Sequence, residues 1–592
     1  MAGYRAPTKD IWFVLEELVP WREINSLPGY EEATPDLVRA ALREAARFAE
    51  EVIAPTNAVG DRAGARIEDG EVRVPPGFAD AFDQFRDGGW PALSFAEEYG
   101  GQQLPMLLAI ATGELWQSAN LAWSNCPLLA EGAVRAITSH ASDELKRRYL
   151  PNMVSGVWTG TMNLTEPQAG SDLGLLRATA TPQGNHYCIR GQKIFITYGD
   201  HDMADNIIHL VLARLPDAPP GVRGISLFLV PKVLVQEDGS LGEGNRVRAV
   251  SLEGKLGIHG SPTCVMEYDD AVGYLVGGPH QGLACMFTMM NDARVRVGLQ
   301  GLSIAERAYQ DAVAYARERV QGAAPGSEGS VTIIHHPDVR RMLMEMKAQI
   351  EAMRAVGYVG ASHLDRAVRA SGDERAYHQA RIDLLTPVIK AWITETGQQI
   401  ASTALQVFGG MGFVEETGAA QHYRDARITT IYEGTTGIQA MDFVGRKVLR
   451  DRGQALRVLV DEMRAMEDQL ATELPDLLSA YRGGVERMEQ GLDWLLANAG
   501  NDLVNAGAAA YNLLMLCGVV AGAQQVLRAA LVAKARLAAG DPDRSFLEAK
   551  LTTAEFYVEH ILPRADAHLT AATAGGESLM ALPEEEFEPA SL

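Results

Sequence analysis

Cysteine is scarce in this sequence, and acidic residues outnumber basic ones. The five cysteines are scattered and form no CxxC pair, which favours free thiols in a reducing, cytoplasmic compartment over a disulfide framework. The 53 lysines and arginines stand against 76 aspartates and glutamates, so the formal charge is −23. Because such an acidic chain repels phosphate backbones and anionic lipids, we expect neither nucleic acid nor a membrane surface as a general partner.

A leader peptide pattern and a typical lipid-facing span are also missing. Acidic residues interrupt the first twenty positions, so we interpret them as mature protein. Residues 503–526 carry no charge and are long enough to cross a bilayer, but they include Asn and Gln and are rich in Ala and Gly. We predict that this segment is a helix buried in a bundle, with membrane contact as the alternative.

The sequence shows no regular alternation of strands and helices, and no GxGxxG lies between a strand and a helix. A Rossmann nucleotide domain is therefore disfavoured. The hydrophobic period changes in blocks, from helical to short β-branched runs and back to helical. We predict a multidomain α+β protein with an N-terminal helical domain (1–156), a central antiparallel β-barrel or sandwich domain (157–285), a helical bundle (286–452) and an additional C-terminal helical domain (453–592).

Two local patterns make sharper predictions. In TPDLVRAALREAARF, Thr34 is placed as a helix cap before Pro35 at the first helical position. The stretch QGAAPGSEGSVTIIHHP, residues 321–337, is rich in Gly and Ser and predicts a loop. Its adjacent residues His335 and His336 would point in different directions and have no partner motif, so we predict no metal site.

Near the start of the predicted β domain, TGTMNLTEPQAGSDL groups Thr165, Gly170 and Ser171 around a proline break. Small hydroxyl residues beside glycine let backbone N–H groups approach a flat polar ligand or a phosphate. Further along, RGQKIFITYGDH places Phe195 and Thr197 two residues apart, so both side chains lie on one strand face, where they could stack on and bond to a ring. The alternatives are a capped Pro/Gly turn and an ordinary half-buried strand.

A third stretch, RDARITTIYEGTTGIQAMDFVGRKVL (424–449), contains Glu433 in a break between apolar periodic segments. Most loop carboxylates are solvated and inert. A carboxylate desolvated among Ile431, Tyr432, Gly434 and small threonines would have a raised proton affinity, which suits a general base.

Together and in this order, EPQAGSDL, GQKIFIT and RDARITTIYEGTTGIQ resemble the acyl-CoA dehydrogenase family, and FAEEYGG at 95–101 matches its N-terminal helical domain. The specific motifs cover residues from about 40 to about 450. The opening YRAPTKDIWFVLEEL, the RVQG…VTIIHHPDVRR stretch and the extra helical domain resemble the larger subfamily. That subfamily includes medium- and long-chain enzymes and 3-methylmercaptopropionyl-CoA dehydrogenases.

The resemblance implies FAD-dependent α,β-dehydrogenation of an acyl-CoA to a trans-2-enoyl-CoA, as in fatty acid β-oxidation. Glu433 would remove the α-proton while the β-hydride moves to flavin N5. The thioester oxygen would be stabilised by the backbone N–H of Glu433 and the ribityl 2′-hydroxyl of FAD. The expected substrate is a medium- to long-chain fatty acyl-CoA, with 3-methylmercaptopropionyl-CoA as the alternative. Electron-transferring flavoprotein is the expected acceptor.

The resemblance also assigns contacts with FAD and with the substrate. Met162, Leu164 and Thr165 match the strand along the flavin ring, Phe195 matches a ring-packing position that is often Trp, and Thr197 matches a bond near N5. The remaining FAD contacts that it implies are Gly170, Ser171, Arg319, Gln406, Gly410, Thr435 and Gln439. The substrate contacts that it implies are Ser171, Arg294, Tyr432 and Gly434.

Two departures from the family pattern affect these assignments. Phe195 keeps an aromatic ring but lacks the indole N–H, and the usual aromatic-Gly pair after Arg319 is replaced by Gly322-Ala323, which leaves the phosphate contacts there open. In the family, Arg319, Gln406 and Gly410 would act across a dimer interface. The extra C-terminal domain would cover the surface through which shorter relatives form tetramers, so we predict a homodimer.

Three alternatives remain at this point. An acyl-CoA oxidase would use the same base and flavin with O₂ as acceptor. A DNA-binding relative of the fold would carry a basic last domain, but residues 455–592 form no basic block. Retention of Glu433, Thr165 and Thr197 argues against a catalytically inactive scaffold.

Overall fold

The computed structural model describes residues 3–500 and 502–589. The chain divides into two compact units. The N-terminal unit consists of Gly3–Ala6 and Pro28–Arg296, and the C-terminal unit consists of Pro7–Leu27 and the chain from Val297 onward. The predicted multidomain α+β class is confirmed, because helical regions lie on both sides of a central β domain in the sequence and a further helical region follows.

The N-terminal unit begins with helices. The predicted cap is present, since the hydroxyl of Thr34 accepts a hydrogen bond from the backbone N–H of Leu37. The helix Met106–Ala119 is buried along nearly its whole length, including its polar residues Glu114 and Gln117, which makes it a core helix. The helices of this region are Pro35–Phe48, Ala54–Ala63, Phe78–Asp87, Met106–Ala119, Leu121–His140 and Asp143–Val154, with a small hairpin of Arg66–Glu68 and Glu71–Arg73.

The β domain of the N-terminal unit is a seven-stranded sheet. Ile225–Pro231 pairs with both Asn206–Arg214 and Thr263–Val276, which closes the sheet into a barrel. The pairings are antiparallel except where Trp158–Asn163 and one residue of Thr179–Gln183 run parallel to Asn206–Arg214. The remaining strands of the sheet are His186–Thr197 and Val247–Leu252, and Val233–Val235 pairs separately with Leu241–Gly244.

The C-terminal unit is helical. Its first long helix, Gly282–Glu318, begins four residues before the predicted boundary at 286 and starts in the N-terminal unit. Short helices Thr8–Phe13 and Trp21–Asn25 belong to the same unit. The other helices are Pro337–Arg369, Gly372–Phe408, Ala419–Ala426, Thr436–Met441, Gln454–Ala465, Glu467–Glu473, Pro475–Asn498, Leu503–Ala538, Arg544–Phe556 and Arg564–Ala572.

Leu503–Ala538 is the helix that has the length and apolarity to cross a membrane, within the described parts of the chain. It packs against Pro475–Asn498, Arg544–Phe556 and Arg564–Ala572, and most of its residues are buried there. The burial predicted for residues 503–526 is therefore observed.

The stretch predicted as a loop at 321–337 contains regular structure. Val320–Ala323 and Ser330–Thr332 form a hairpin, and a 3-10 turn over Ile333–His335 leads into the helix Pro337–Arg369. The β-branched residues near both ends pair across the glycine-rich tip, which local composition did not indicate. All five cysteines are free thiols, as predicted. Residues 1–2 of the predicted mature N-terminus and 590–592 of the acidic tail lie outside the described residues.

Candidate active site

In the N-terminal unit, a turn holds the hydroxyl residues that follow the strand Trp158–Asn163. Its anchor is Glu166, whose backbone exchanges two hydrogen bonds with Ala169. The carboxylate of Glu166 accepts from the backbone N–H of Arg177 at 2.6 Å and of Ala178 at 3.0 Å. The turn that carries Thr165 and the exposed Gly170 and Ser171 is thus fixed at its base.

A buried ion pair reinforces this turn. Lys193 Nζ lies 2.8 Å from Oε1 of Glu166 and donates to the carbonyl of Leu164 at 2.9 Å. Burial lowers the pKa of Lys193 to about 8, with the carboxylate of Glu166 working against that shift. Burial also works against ionisation of Glu166, but the charge of Lys193 and the backbone donors together lower the pKa of that carboxyl. The pair is therefore charged at neutral pH. The sequence analysis missed it, because neither residue stands out from ordinary strand composition.

Phe195 occupies a β-bulge in the strand His186–Thr197. Ile196 faces Cys264 and Lys193 faces Met266, so two residues oppose one across the pair. Phe195 has a φ of +60°, a region that a bulky side chain rarely adopts, and it is 59% exposed. In a regular strand every second side chain faces the core. Here Lys193 and Ile196 are both buried although they are three residues apart, so the two-residue alternation is broken. Phe195 and Thr197 nevertheless both remain outside the buried set.

Beneath the strand that precedes the turn, buried polar side chains form a chain of hydrogen bonds. The hydroxyl of Thr161 lies 2.7 Å from Nδ1 of His209, and Asn163 donates to Thr161 and accepts from the hydroxyl of Tyr268, each at 2.8 Å. Burial lowers the pKa of His209 to about 3, so its ring is neutral. This chain of bonds fixes the strand next to Met162 and Leu164, both half-buried.

In the C-terminal unit, Glu433 lies in a tight bend between the 3-10 turn Arg427–Thr430 and the helix Thr436–Met441. Glu433 has a φ of +57° and Gly434 a φ of +93°. The φ of Gly434 favours glycine, and a Cβ there would lie 2.7 Å from Nε2 of Gln439 and displace that amide from the carbonyl of Glu433. We call residues 431–435 the base loop. A left-handed glutamate held between constrained neighbours is the kind of backbone feature found at functional sites.

Two side chains hold the backbone carbonyls of the base loop. The buried Lys390 donates from Nζ to the carbonyl of Gly434 at 2.7 Å, and Gln439 donates from Nε2 to the carbonyl of Glu433 at 3.1 Å. Thr435 caps the following helix by accepting from the N–H of Ile438 at 3.3 Å. The backbone of the glutamate is therefore fixed on its C-terminal side. Lys390 was not identified in the sequence, because it lies 43 residues upstream within a long helix.

The residue before Glu433 is anchored as well. The hydroxyl of Tyr432 donates to Oε1 of the buried Gln300, and its backbone N–H donates to the carbonyl of Ile428 at 3.1 Å. Burial, and then the neighbouring charge of Glu433, raise the pKa of Tyr432 well above its ordinary value. Tyr432 is thus a neutral hydrogen-bond donor at physiological pH.

Arg294 and Arg319 occupy different environments. Arg294 is buried in the N-terminal unit, with its guanidinium 5.9 Å from the ring centroid of Phe287 and Nη1 3.5 Å from Oδ1 of Asn291. Arg319 is exposed at the end of the helix Gly282–Glu318. The role predicted for each is not decided by these contacts, and both remain predictions.

The structure brings the predicted residues Arg319, Gln406 and Gly410 to one region of the C-terminal unit. The ring of Tyr315, four residues before Arg319, stacks on that of Phe408 at 4.4 Å between centroids. Gln406 and Gly410 are exposed on either side of Phe408. Exposed apolar side chains continue the surface: Met411 is 46%, Phe413 93% and Val414 39% exposed.

The residues present suit the flavin that the resemblance implies. The N-terminal unit offers the exposed ring of Phe195 with half-buried Met162, Thr165 and Thr197, an apolar surface edged by hydroxyls that fits a flat polar ring. In the C-terminal unit, Oε1 of Gln439 is buried and has no hydrogen-bond partner among the described residues. Such an acceptor is costly unless a ligand supplies a donor.

Comparison with known proteins gives consistent matches along the chain. Family profiles match residues 36–157 (acyl-CoA dehydrogenase, N-terminal domain), 161–271 (middle domain), 280–449 (C-terminal domain) and 459–583 (acetyl-CoA dehydrogenase C-terminal like). The chain is 48% identical over 586 residues to a 3-methylmercaptopropionyl-CoA dehydrogenase of Ruegeria pomeroyi, covering 98% of this chain and 99% of that protein.

A broad-specificity linear acyl-CoA dehydrogenase of Mycobacterium tuberculosis is 35% identical over 592 residues, covering 95% of this chain and 96% of that protein. Among solved structures, an acyl-CoA dehydrogenase of Bacillus anthracis complexed with FAD superposes with a TM-score of 0.74 at 19% identity, covering 93% of this chain and 90% of that one. At that identity the likeness shows the fold.

Proposed function

The chain belongs to the acyl-CoA dehydrogenase family, and from this premise we propose that its substrate is 3-methylmercaptopropionyl-CoA. The protein is an FAD-dependent oxidoreductase that acts on acyl-CoA. The observation that carries the substrate proposal is the 48% identity, over nearly the full length of both chains, to a relative of that name. We propose Glu433 as its base.

The chemistry requires the loss of one hydrogen from each of two adjacent carbons. The α-hydrogen leaves as a proton, and a thioester α-proton is only weakly acidic, so the base must be held in a fixed position. Gln439 and Lys390 provide this by fixing the carbonyls of Glu433 and of Gly434. Bound FAD supplies the two-electron acceptor for the β-hydride. In the product, the sulfur lone pair is conjugated with the new double bond and the thioester carbonyl.

We propose that the following residues bind the flavin. Phe195, Thr165 and Thr197 would contact its ring, and Thr435 and the unpartnered oxygen of Gln439 are further contacts that we assign to it. Arg319, Gln406 and Gly410 would contact its phosphate and adenosine parts. The exposure and unsatisfied acceptor described above support these assignments.

A second candidate substrate class is linear acyl-CoA of medium or long chain. The 35% identity to a broad-specificity linear acyl-CoA dehydrogenase favours it. Discrimination between the two classes rests on the acyl pocket. We propose that the helix Leu121–His140, where Cys126, Val134 and Ile137 are all buried, helps to set the depth of that pocket.

The test is a panel of substrates with flavin bleaching followed under anaerobic conditions. We expect the highest kcat/KM with 3-methylmercaptopropionyl-CoA and a closely similar value with pentanoyl-CoA, which replaces the sulfur by a methylene. We expect octanoyl-CoA and palmitoyl-CoA to be slower by roughly tenfold or more. If kcat/KM is highest with octanoyl-CoA or palmitoyl-CoA, the proposed substrate is wrong and the second class is the substrate.

Two further proposals concern partners. We propose electron-transferring flavoprotein as acceptor, so adding substrate in air should consume little oxygen until that protein or a dye is present. Rapid oxygen uptake would instead indicate an oxidase.

We also propose a homodimer through the exposed surface at Met411, Phe413 and Val414. Light scattering should give twice the 64.0 kDa chain mass, and Phe413→Asp should shift it towards the monomer. A stable tetramer would contradict the proposal.

A further inference from the structure

A cavity of about 610 Å³ lies within the C-terminal unit and shares no lining residue with the base loop. It is bounded by the N-terminal segment at Glu17–Pro20 and by the helices Pro337–Arg369, Gly372–Phe408, Gln454–Ala465 and Leu503–Ala538. Its volume is in the range of small-molecule sites, about 300–1,000 Å³. We call it the arginine cavity, because Arg366, Arg381 and Arg528 all line it.

The acidic side chains that line the arginine cavity are already engaged. Glu462 pairs with Arg381 and accepts from the hydroxyl of Tyr377 at 2.7 Å. Glu17 pairs with Arg536, which lies outside the cavity, at 2.9 Å. These carboxylates therefore have partners other than Arg528.

Arg528 is the exception among the three arginines. It donates to Oε1 of Gln525 at 2.7 Å and to the carbonyl of Leu18 at 2.9 Å, both uncharged acceptors. The nearest acidic influence on Arg528 is Glu462, which attracts its charge but is itself bonded to Arg381 and Tyr377. Burial lowers the pKa of Arg528, but an arginine stays protonated at physiological pH. A half-buried guanidinium whose hydrogen bonds go to uncharged acceptors is costly, and an anion that bonds to it directly would offset that cost.

Other polar residues of the wall add little negative charge. Arg381 is 4% exposed, and its Nη1 has no hydrogen-bond partner among the described residues. His363 lines the cavity beside His378, with 2.8 Å between their Nδ1 atoms. Burial, then His378 and the charges of Arg381 and Arg366, lower the pKa of His363 to about 3. The histidine is therefore neutral and adds no charge of its own, and the three lining arginines exceed the two lining glutamates by one charge.

The rest of the wall is apolar. Leu385, Leu459, Leu531, Val532 and Ala521 line it, contributed by three different helices. A free phosphate would leave this apolar area uncovered. A ligand with one anionic end and a short hydrocarbon body would satisfy both parts of the wall.

We propose that the arginine cavity binds a small amphipathic monocarboxylate, with Arg528 holding the carboxylate and the leucine and valine side chains taking the chain. The proposal does not depend on the substrate proposed above. It assigns the cavity as a second ligand site, separate from the base loop.

The test is calorimetric titration of the FAD-loaded enzyme, in phosphate-free buffer, with octanoate, octanamide and inorganic phosphate. We expect octanoate to bind, and octanamide and phosphate to bind at least tenfold more weakly. Arg528→Gln should lower the affinity for octanoate at least tenfold, while Arg528→Lys should retain part of that affinity. Arg544→Gln, an exposed arginine paired with Glu548, is the matched control and should leave binding unchanged.

A further titration with the acyl-CoA site saturated by trans-2-octenoyl-CoA separates the two sites, and octanoate affinity should be unchanged there. The proposal is overturned if octanoate gives no heat, if the bound CoA ester abolishes its binding, or if Arg528→Gln binds it like wild type. Phosphate binding as tightly as octanoate would overturn the assigned ligand class. The octanamide comparison uses the wild-type enzyme, so it decides the point even if Arg528→Gln fails to fold.

Discussion

At the scale of single residues, two of the proposed site residues have a strained backbone. Glu433 and Phe195 both have a left-handed φ, near +57° and +60°, although neither residue type favours it. Each such residue costs of order 1–3 kcal/mol and persists only where its surroundings impose it. In both places hydrogen bonds or strand pairing supply that constraint. Lys390 and Gln439 do so for the base loop, and the pairs Lys193–Met266 and Ile196–Cys264 on either side of the bulge do so for Phe195.

Phe195 gives a prediction that separates stability from cofactor binding. Phe195→Gly relieves the left-handed strain and removes a mostly exposed ring, so we expect the apoprotein to unfold at an equal or higher urea concentration. FAD binding should weaken by about 0.5–1.5 kcal/mol with loss of the aromatic contact. Phe195→Leu is the control, since it keeps the strain and loses the ring. Unchanged FAD affinity in both variants, measured by flavin fluorescence, would remove Phe195 from the cofactor site.

The residues of the base loop were predicted from the sequence through a resemblance, and the residues that hold the loop were not. Glu433 lies within a stretch specific enough to recognise, whereas Lys390 and Gln300 lie within long helices of ordinary composition. Their roles arise only when tertiary packing brings Nζ of Lys390 to the carbonyl of Gly434 and the amide of Gln300 to Tyr432. The periodicity of side chains along one helix does not predict which distant residues that helix will contact.

At the scale of elements, the blocks of hydrophobic period predicted the order of helices and strands, and local exceptions were missed. The bulge at Phe195 breaks the two-residue period that the strand prediction assumed. The hairpin at Val320–Ala323 and Ser330–Thr332 is interrupted by a glycine-rich tip that resembles an unstructured loop. Both depend on pairing with a second strand, which a single segment does not encode.

Glycines in the helix Leu503–Ala538 let it approach the helix Gly372–Phe408 closely. A Cβ at Gly518 would lie 2.2 Å from Cγ of Trp392, a rigid part of that side chain. We expect Gly518→Ala to lower the free energy of unfolding by about 1–3 kcal/mol through overpacking. A Cβ at Gly507 on the same helix would have no atom within 4 Å, so Gly507→Ala should raise the free energy of unfolding by about 0.5–1 kcal/mol. Equal urea midpoints for the two variants would refute this packing account.

At the scale of the whole molecule, a buried ionic cluster ties the start of the C-terminal unit to its last helical region. Asp10 pairs with Arg354 and with Lys550, which lies 540 residues away in sequence. Arg354 also contacts Glu306 at 2.8 Å, and Lys550 contacts Glu351 at 3.0 Å. Burial alone would raise the pKa of Asp10, but the charges of Lys550 and Arg354 outweigh it and hold that pKa well below its ordinary value.

This shift predicts how stability depends on pH. A carboxyl whose pKa is depressed in the folded state stabilises the fold above its unfolded pKa, about 3.9, and this contribution is lost as pH falls through the folded value. Asp10→Asn should therefore be destabilised by about 3–5 kcal/mol at pH 7 and should lose less on acidification below pH 4 than wild type does. Asp338→Asn, an exposed carboxylate paired with Arg341, should follow the wild-type pH profile. Parallel urea-midpoint profiles for wild type and Asp10→Asn would contradict the prediction.

The central claim is that Glu433 is the base, and anaerobic flavin bleaching of Glu433→Gln tests it most directly. The amide has the same shape as the carboxylate, so FAD content and melting temperature should match wild type. Bleaching by 3-methylmercaptopropionyl-CoA should slow by about 10²–10⁴-fold, because the α-proton has no acceptor. Bleaching at the wild-type rate in the FAD-loaded variant would contradict the account.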